Sequence, residues 1–302
     1  MTKQGKEMWI FLNGEFVKKE QARISVFDHG FLYGDGVYET LRVYQGRIFL
    51  LERHLARLRR SCELIRLVLP IQDHAWASIM TEMLIRNGLQ DAGLRVTISR
   101  GEGELGIDPG LCPSPTIVVM AKPVVSYPAQ MREQGVRLQL VSVRRNPKSA
   151  QSPQIKSLSF LNNILAKQEA GQAGAFDALM LNMDGHVTEC TTSNIFFVSN
   201  HRLHTPSVAC GILEGITREV VMILARELGI EVEEGAYAAA DVLQADECFM
   251  TNTGLEIMAV SQIGRSPIGP GRSGEITMAL WRAFQENLER WLGRVLTGPH
   301  AS

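Results

Sequence analysis

The spacing of apolar residues changes period along this chain, and that change limits what the chain can fold into. It begins at two. Trp9-Ile10-Phe11-Leu12 meets Asn13-Gly14 and then Glu15-Phe16-Val17, a hairpin signature, because Asn-Gly accepts the positive φ of a two-residue turn. Residues 37–43 and 47–50 read as strands on either side of Gln45-Gly46. The period then becomes three and four: Leu51, Leu55, Leu58, Cys62 and Ile65 predict an amphipathic helix with its arginines on the other face. A second helix is expected over 73–86, before Asn87-Gly88, and further strands over 94–99 and 116–120. Interleaved strands and helices of this kind make an α+β domain, set here at 1–121.

Prolines from Lys122-Pro123 to Tyr127-Pro128 mark a linker, 122–134, before a larger domain, 135–302. There, strands are expected near 136–143, 177–183, 194–198 and 247–251. Thr217 to Leu228 has helical spacing and stops at Gly229, and a final helix is expected over 275–292. A chain of 302 residues has room for two domains, and a site between them is the expectation. The 31 basic and 32 acidic residues leave a net charge of -1, which argues against nucleic acid or an anionic membrane as partner. No stretch approaches the roughly 18 apolar residues of a membrane span. Five scattered cysteines without a CxxC pair, after a start lacking a hydrophobic leader, read as a reduced cytoplasmic protein.

Several motifs fail on their context. Gly101-Glu102-Gly103-Glu104-Leu105-Gly106 matches GxGxxG, but Ile107-Asp108-Pro109-Gly110 follows it, which is turn chemistry rather than a helix start. The seven histidines form no HExxH pair, so no metal site is expected, and neither GxSxG nor GxxxxGK[ST] occurs.

The lysines are more informative, because only 8 of the 31 basic residues are lysine. Seven lie in polar or turn surroundings. Lys156 lies in Gln154-Ile155-Lys156-Ser157-Leu158-Ser159-Phe160-Leu161, apolar or uncharged on both sides. A desolvated amine can act as nucleophile or Schiff-base former. On local sequence alone, a lysine snorkelling from a helix start to water is the favoured reading.

Three further segments carry polar atoms with a use. Gly211-Ile212-Leu213-Glu214-Gly215-Ile216-Thr217-Arg218 opens a helix whose free N–H groups suit a phosphate, although a plain threonine cap has the same sequence. Thr251-Asn252-Thr253-Gly254 could bind an anion or simply turn the chain. Val187-Thr188-Glu189-Cys190 offers a lone acid. An amine, a phosphate cup and a carboxylate for a ring nitrogen are together what pyridoxal phosphate requires.

The stretches at 27–40 (FDHGFLYGDGVYET), 51–58 (LERHLARL), 155–166 (IKSLSFLNNILA), 187–194 (VTECTTSN), 211–219 (GILEGITRE) and 246–257 resemble, in order, the fold-type IV pyridoxal-phosphate-dependent aminotransferases. That family includes branched-chain amino acid aminotransferases, D-amino acid aminotransferases and aminodeoxychorismate lyases. The resemblance implies a smaller N-terminal α+β domain and a larger C-terminal pseudo-barrel, with pyridoxal 5'-phosphate between them. It also implies an amino donor, a 2-oxo acid acceptor such as 2-oxoglutarate, and a homodimer. It makes Lys156 the Schiff-base lysine and proton carrier, Glu189 the partner of the pyridine nitrogen, and Arg53 the phosphate-binding arginine. Ile216, Thr217 and Thr253 complete the phosphate cup, and Tyr33, Tyr38, Arg95 and Gly254 shape the substrate pocket.

The segments 100–109 and 142–147 look like prokaryotic branched-chain enzymes, so a branched-chain L-amino acid is the expected donor. D-amino acid or (R)-amine transamination and lyase activity are the alternatives. The Arg-x-His pair of the D-amino acid enzymes is absent, and Phe31 stands at their tyrosine. Thr40, Gly93 and Phe160 depart from the branched-chain pattern. A non-catalytic binding protein would have no reason to keep Lys156, Glu189, Arg53 and Thr217 together.

Overall fold

The computed structural model describes residues 7–125 and 127–293. These form two compact units. One comprises 7–125 with Ile155–Ser159 and 291–293; the other comprises 127–154 with Phe160–Arg290.

The first unit is built on a six-stranded antiparallel sheet of order β2-β1-β6-β5-β3-β4. Its strands are β1 (Trp9–Leu12), β2 (Glu15–Lys18), β3 (Gly36–Tyr44), β4 (Arg47–Ile48), β5 (Ala92–Ser99) and β6 (Thr116–Pro123). Both expected hairpin turns form, with Asn13 at φ 48° and Gly14 at φ 99°, and Gln45 at φ 48° and Gly46 at φ 78°. Between β2 and β3 lies a one-turn helix, α1 (His29–Tyr33), capped by Asp28, whose Oδ1 accepts from Gly30 N–H at 2.8 Å. The helices α2 (Leu51–Leu64) and α3 (Asp73–Asn87) pack on the sheet, and α3 ends at Gly88, φ 59°.

Leu51, Leu55, Leu58 and Cys62 of α2 are buried, as their spacing predicts. The expectation that its arginines all face away is corrected at Arg57, which is buried together with His54 and Ser61. The reason is Glu39, a buried carboxylate on β3 that gives Arg57 a partner inside.

The second unit carries a nine-stranded sheet of order β12-β11-β10-β13-β14-β7-β8-β9, with β15 on β14. Its elements are α4 (Ala129–Gln134), β7 (Val136–Leu140), α5 (Leu161–Gln172), β8 (Asp177–Leu181), β9 (Val187–Cys190), β10 (Asn194–Ser199), β11 (Arg202–Pro206), α6 (Ile216–Glu227), β12 (Val232–Gly235), α7 (Ala239–Leu243), β13 (Glu247–Asn252), β14 (Glu256–Ile263), β15 (Ser266–Pro267), α8 (Glu275–Glu286) and α9 (Leu288–Trp291). The sheet curls onto itself: Val187 on edge strand β9 donates to Tyr237 O, just beyond β12 on the other edge, at 2.8 Å. A pseudo-barrel is therefore what this sequence makes.

Two differences from the boundaries 1–121, 122–134 and 135–302 have physical causes. The segment expected as a linker holds the end of β6 and the whole of α4. Ile155–Ser159 returns to the first unit because it pairs with β3. The helix expected over 275–292 breaks at Asn287, whose side chain donates to Ala283 O at 2.9 Å. No helix among the described residues is long and apolar enough to cross a membrane.

Candidate active site

Lys156 is not at a helix start, since α5 begins at Leu161. It lies in an extended segment fastened to two elements of the first unit. Tyr38 N–H donates to Lys156 O at 2.9 Å, and Leu158 N–H donates to Gly36 O at 2.9 Å. Lys156 N–H donates to the hydroxyl of Ser61 on α2 at 3.2 Å. Gly36 is required here, because a Cβ would stand 2.5 Å from Ile98 O and 2.6 Å from the Leu158 side chain. The half-buried Lys156 carries its ammonium 4.6 Å from the Tyr38 ring centroid.

Arg95 on β5 brings a second cation to the same ring, with its Cζ 4.0 Å from the centroid, and donates to Thr97 Oγ1 at 3.2 Å. Burial pulls the Arg95 guanidinium down from its usual pKa, while Tyr38 opposes that shift. Lys156, Tyr38 and Arg95, three of the expected site residues, are thus brought together. Tyr33, at the end of α1, is 43% exposed, and its hydroxyl accepts from Gly106 N–H at 3.2 Å.

Behind Lys156 lies a polar cluster with no counterpart in the sequence reading. Glu39 takes two bonds from Arg57, Nε at 2.7 Å and Nη2 at 2.9 Å, and one from His54 Nδ1 at 2.9 Å. Burial alone would raise the Glu39 carboxyl, but Arg57 and His54 hold it well below the usual carboxylate range. Burial lowers the His54 imidazole, outweighing the pull of Glu39, and Lys156 contributes in the same direction as burial. The signal was available: positions 54, 57 and 61 share one helical face with Leu58. Arg53, one turn before Arg57 on α2, is exposed.

In the second unit, Glu189 is 6% exposed. Its Oε2 accepts from Asn194 Nδ2 at 3.2 Å and from Leu213 N–H at 3.1 Å, and its Oε1 pairs with Arg145 at 2.9 Å. Arg145 is itself oriented by Asn163 Oδ1 at 3.0 Å. Asn194 lies against Gly215, where a Cβ would come within 1.9 Å of its Oδ1. Gly215 is the N-cap of α6 and supplies no side-chain bond, so Ile216 and Thr217 occupy the first helical positions, both buried. Thr217 is therefore inside the helix and not its cap.

Asn194 pairs with Thr251 across β10 and β13, and the Thr251 hydroxyl is buried with no partner among the described residues. Thr253 and Gly254 lie in the following turn, shaped by Asn252, whose Oδ1 accepts from Gly254 N–H at 2.8 Å and Leu255 N–H at 2.7 Å. Glu189, the start of α6 and the 252–255 turn are thus linked through Asn194 and β13.

The motifs set aside stay outside this arrangement. After Gly101–Gly106 comes a single 3-10 turn at Pro109–Leu111. No group of His, Cys, Asp or Glu among the described residues could hold a metal ion. Of the three departures, Gly93 has room for a side chain, its nearest neighbour being Lys122 at 3.9 Å. Thr40 is half-buried on β3, and Phe160 is the N-cap of α5.

The family model described as Amino-transferase class IV matches residues 36–263. A Methanocaldococcus jannaschii protein named "Putative branched-chain-amino-acid aminotransferase" is 43% identical over 94% of this chain and 98% of its own length. The aminodeoxychorismate lyase of Bacillus subtilis is 33% identical over 94% of this chain and 96% of its own. Among solved structures, the T.th. branched-chain amino acid aminotransferase with pyridoxamine 5'-phosphate superposes with a TM-score of 0.92. It is 32% identical, and the match covers 96% of this chain and 99% of that one. On these matches, the chain belongs to the class IV amino-transferase family.

Proposed function

We propose that this chain is a pyridoxal-5'-phosphate-dependent aminotransferase that moves an amino group between a branched-chain L-amino acid and a 2-oxo acid such as 2-oxoglutarate. It would work as a homodimer in the cytoplasm. The observation that carries the reading is Lys156: its backbone is fixed from β3 and α2, while its amine stands over Tyr38 beside Arg95.

The donor set fits the cofactor. Glu189 is a buried carboxylate paired with Arg145, the kind of acceptor that a protonated pyridine nitrogen requires. The start of α6 has a glycine cap and two buried positions whose N–H groups suit a phosphate. The unpartnered Thr251 hydroxyl is one more polar atom in need of a ligand. When bound, pyridoxal phosphate supplies a carbonyl that condenses with amines and a ring that accepts the electrons of the substrate's Cα–H bond.

The chain's own residues do the rest. Lys156 would hold the cofactor, and its freed amine would carry the proton from the substrate Cα to the carbonyl-derived carbon of the cofactor, and in the second half-reaction from that carbon to the Cα formed from the oxo acid. Glu189 retains the proton on the ring nitrogen. Ile216, Thr217 and Thr253 hold the phosphate. Arg95, oriented by Tyr38 and Thr97, meets the substrate carboxylate, with Tyr33 and Gly254 along the pocket. For the phosphate-side arginine, burial on the face of α2 that bonds Lys156 favours Arg57 over the exposed Arg53.

The test is to load the protein with pyridoxal phosphate and follow its visible absorbance on adding L-leucine, D-alanine or (R)-phenylethylamine. L-leucine is expected to bleach it fastest, and Lys156→Ala to abolish turnover. A faster response to D-alanine would move the assignment to D-amino acids. No response to any amine would overturn the catalytic reading.

A further inference from the structure

β13 and β14 are joined by Thr253-Gly254-Leu255 and closed by the pair Asn252–Glu256. A three-residue hairpin loop calls for a left-handed residue where the second strand resumes, and glycine is the default there. In this chain that residue is Glu256, at φ 61°. A side chain in this region costs free energy unless its surroundings compensate.

The surroundings do compensate, from two helices. Arg132 on α4 donates through Nη1 to the carbonyls on both sides of the strained residue, Leu255 O at 3.0 Å and Ile257 O at 2.7 Å. Its Nη2 reaches Glu256 Oε2 at 3.4 Å, and the same oxygen accepts from Gln285 on α8 at 2.8 Å. The Arg132 guanidinium lies 5.6 Å from the Trp281 ring centroid, so α8 also orients the arginine. The opposite end of the loop is held by Asn252, which donates to Ser193 Oγ at 2.8 Å while accepting from Gly254 and Leu255.

We propose that Arg132, Glu256 and Gln285 are positioning residues that hold the Thr253–Leu255 loop in the shape in which Thr253 and Gly254 meet an anionic group of cofactor or substrate. This rests on the roles given to Thr253 and Gly254 under the proposed function. The brace acts on backbone, not on charge at the ligand. Glycine at 256 should therefore serve as well as glutamate, and alanine should not.

The experiment compares Glu256→Ala with Glu256→Gly, alongside Arg132→Met and the Arg132→Met/Glu256→Gly pair. Two readouts are taken. One is amide hydrogen exchange over 252–257 in cofactor-free protein; the other is the dissociation constant for pyridoxal phosphate together with KM and kcat for L-leucine. Glu256→Ala should speed exchange about tenfold and raise the dissociation constant or KM by a similar factor at near-native kcat. Glu256→Gly should stay within about twofold on both, and should restore the Arg132→Met protein. Equal losses in the alanine and glycine variants would overturn the proposal, and that pair alone decides the matter if Arg132→Met does not fold. An exchange contrast in a wild-type protein that takes up no pyridoxal phosphate would support the brace and overturn the proposed function instead.

Discussion

A carboxylate at 1% exposure, such as Glu39, is stable only while its partners remain, and this gives the Glu39–His54–Arg57 cluster a definite pH signature. The folded His54 imidazole titrates below 6.5, its ordinary value. As pH falls through 6.5, the unfolded chain takes up a proton that the folded chain refuses, so stability is full above that pH and declines below it. The slope for one such proton is about 1.4 kcal/mol per pH unit. Glu39 has the same sign lower down: its contribution is present above 4.5 and is lost as pH falls towards its depressed folded value. His54→Asn keeps a donor near Nδ1 but does not titrate, so urea unfolding between about pH 6.5 and about pH 5 should show a flatter slope than wild type. The same cluster separates two arginines of α2. Arg57→Met leaves the Glu39 charge buried with one partner fewer and should cost about 3–5 kcal/mol. Arg53→Ala, at an exposed position, should cost about 0.5 kcal/mol or less in the same assay. Lys156 could be singled out in the sequence because its neighbours are uncharged and lysines are scarce. For Arg57 the helical spacing shows only that it shares a face with Leu58; what holds its charge there is a partner on β3, 18 residues earlier.

At the level of elements, what could be read was periodicity with a solvent side. The helices α2, α3 and α6 bury one face and expose another, and the spacing in their sequences shows it, while the β1–β2 hairpin is legible from its Asn13-Gly14 turn. β9 could not be read this way. It is a four-residue run, Val-Thr-Glu-Cys, with a hydroxyl and an acid in the middle, whereas β8 and β10, likewise buried, are longer apolar runs that read as strands. The return of 155–159 to β3 was hidden for a different reason: it depends on backbone pairing with a strand more than a hundred residues earlier. That pairing is sensitive to one position. In Gly36→Ala, the new methyl meets Ile98 O and Ser99 Cα, neither able to yield without moving backbone, and also displaces the Leu158 side chain. The substitution should destabilise by about 1–3 kcal/mol. It should also loosen the Lys156 segment, so that visible absorbance in the loaded protein develops at higher pyridoxal phosphate concentration than in wild type. Unchanged titration with lowered stability would mean that the 155–159 segment is held by α2 alone.

For the whole molecule, the family match and both units are accounted for by burial, but one surface of the first unit is not. The stretch leading into α1 and the 101–107 loop are fastened together: His29 N–H donates to Gly101 O at 2.9 Å, and the His29 ring meets Glu104 O at 2.9 Å. Together they expose Ile24, Val26, Phe27, Phe31, Leu105 and Ile107, the last at 86%. A cluster of large apolar side chains on a loop pair this well hydrogen-bonded is ordered surface facing water, which in a monomer is unusual. The proposed homodimer gives it an occupant, a second copy of the same patch, since a two-fold interface is self-complementary. The paired change Phe31→Asp/Ile107→Asp removes two side chains that contribute nothing to the core, so the protomer should fold with near-native unfolding behaviour. Sedimentation should then shift it from dimer to monomer. Val68→Asp, also exposed and apolar but outside these loops, should leave the dimer intact. A double variant that sediments as wild type does would place the dimer contact elsewhere. A monomeric double variant that keeps full turnover would mean that each protomer holds all it needs for the reaction.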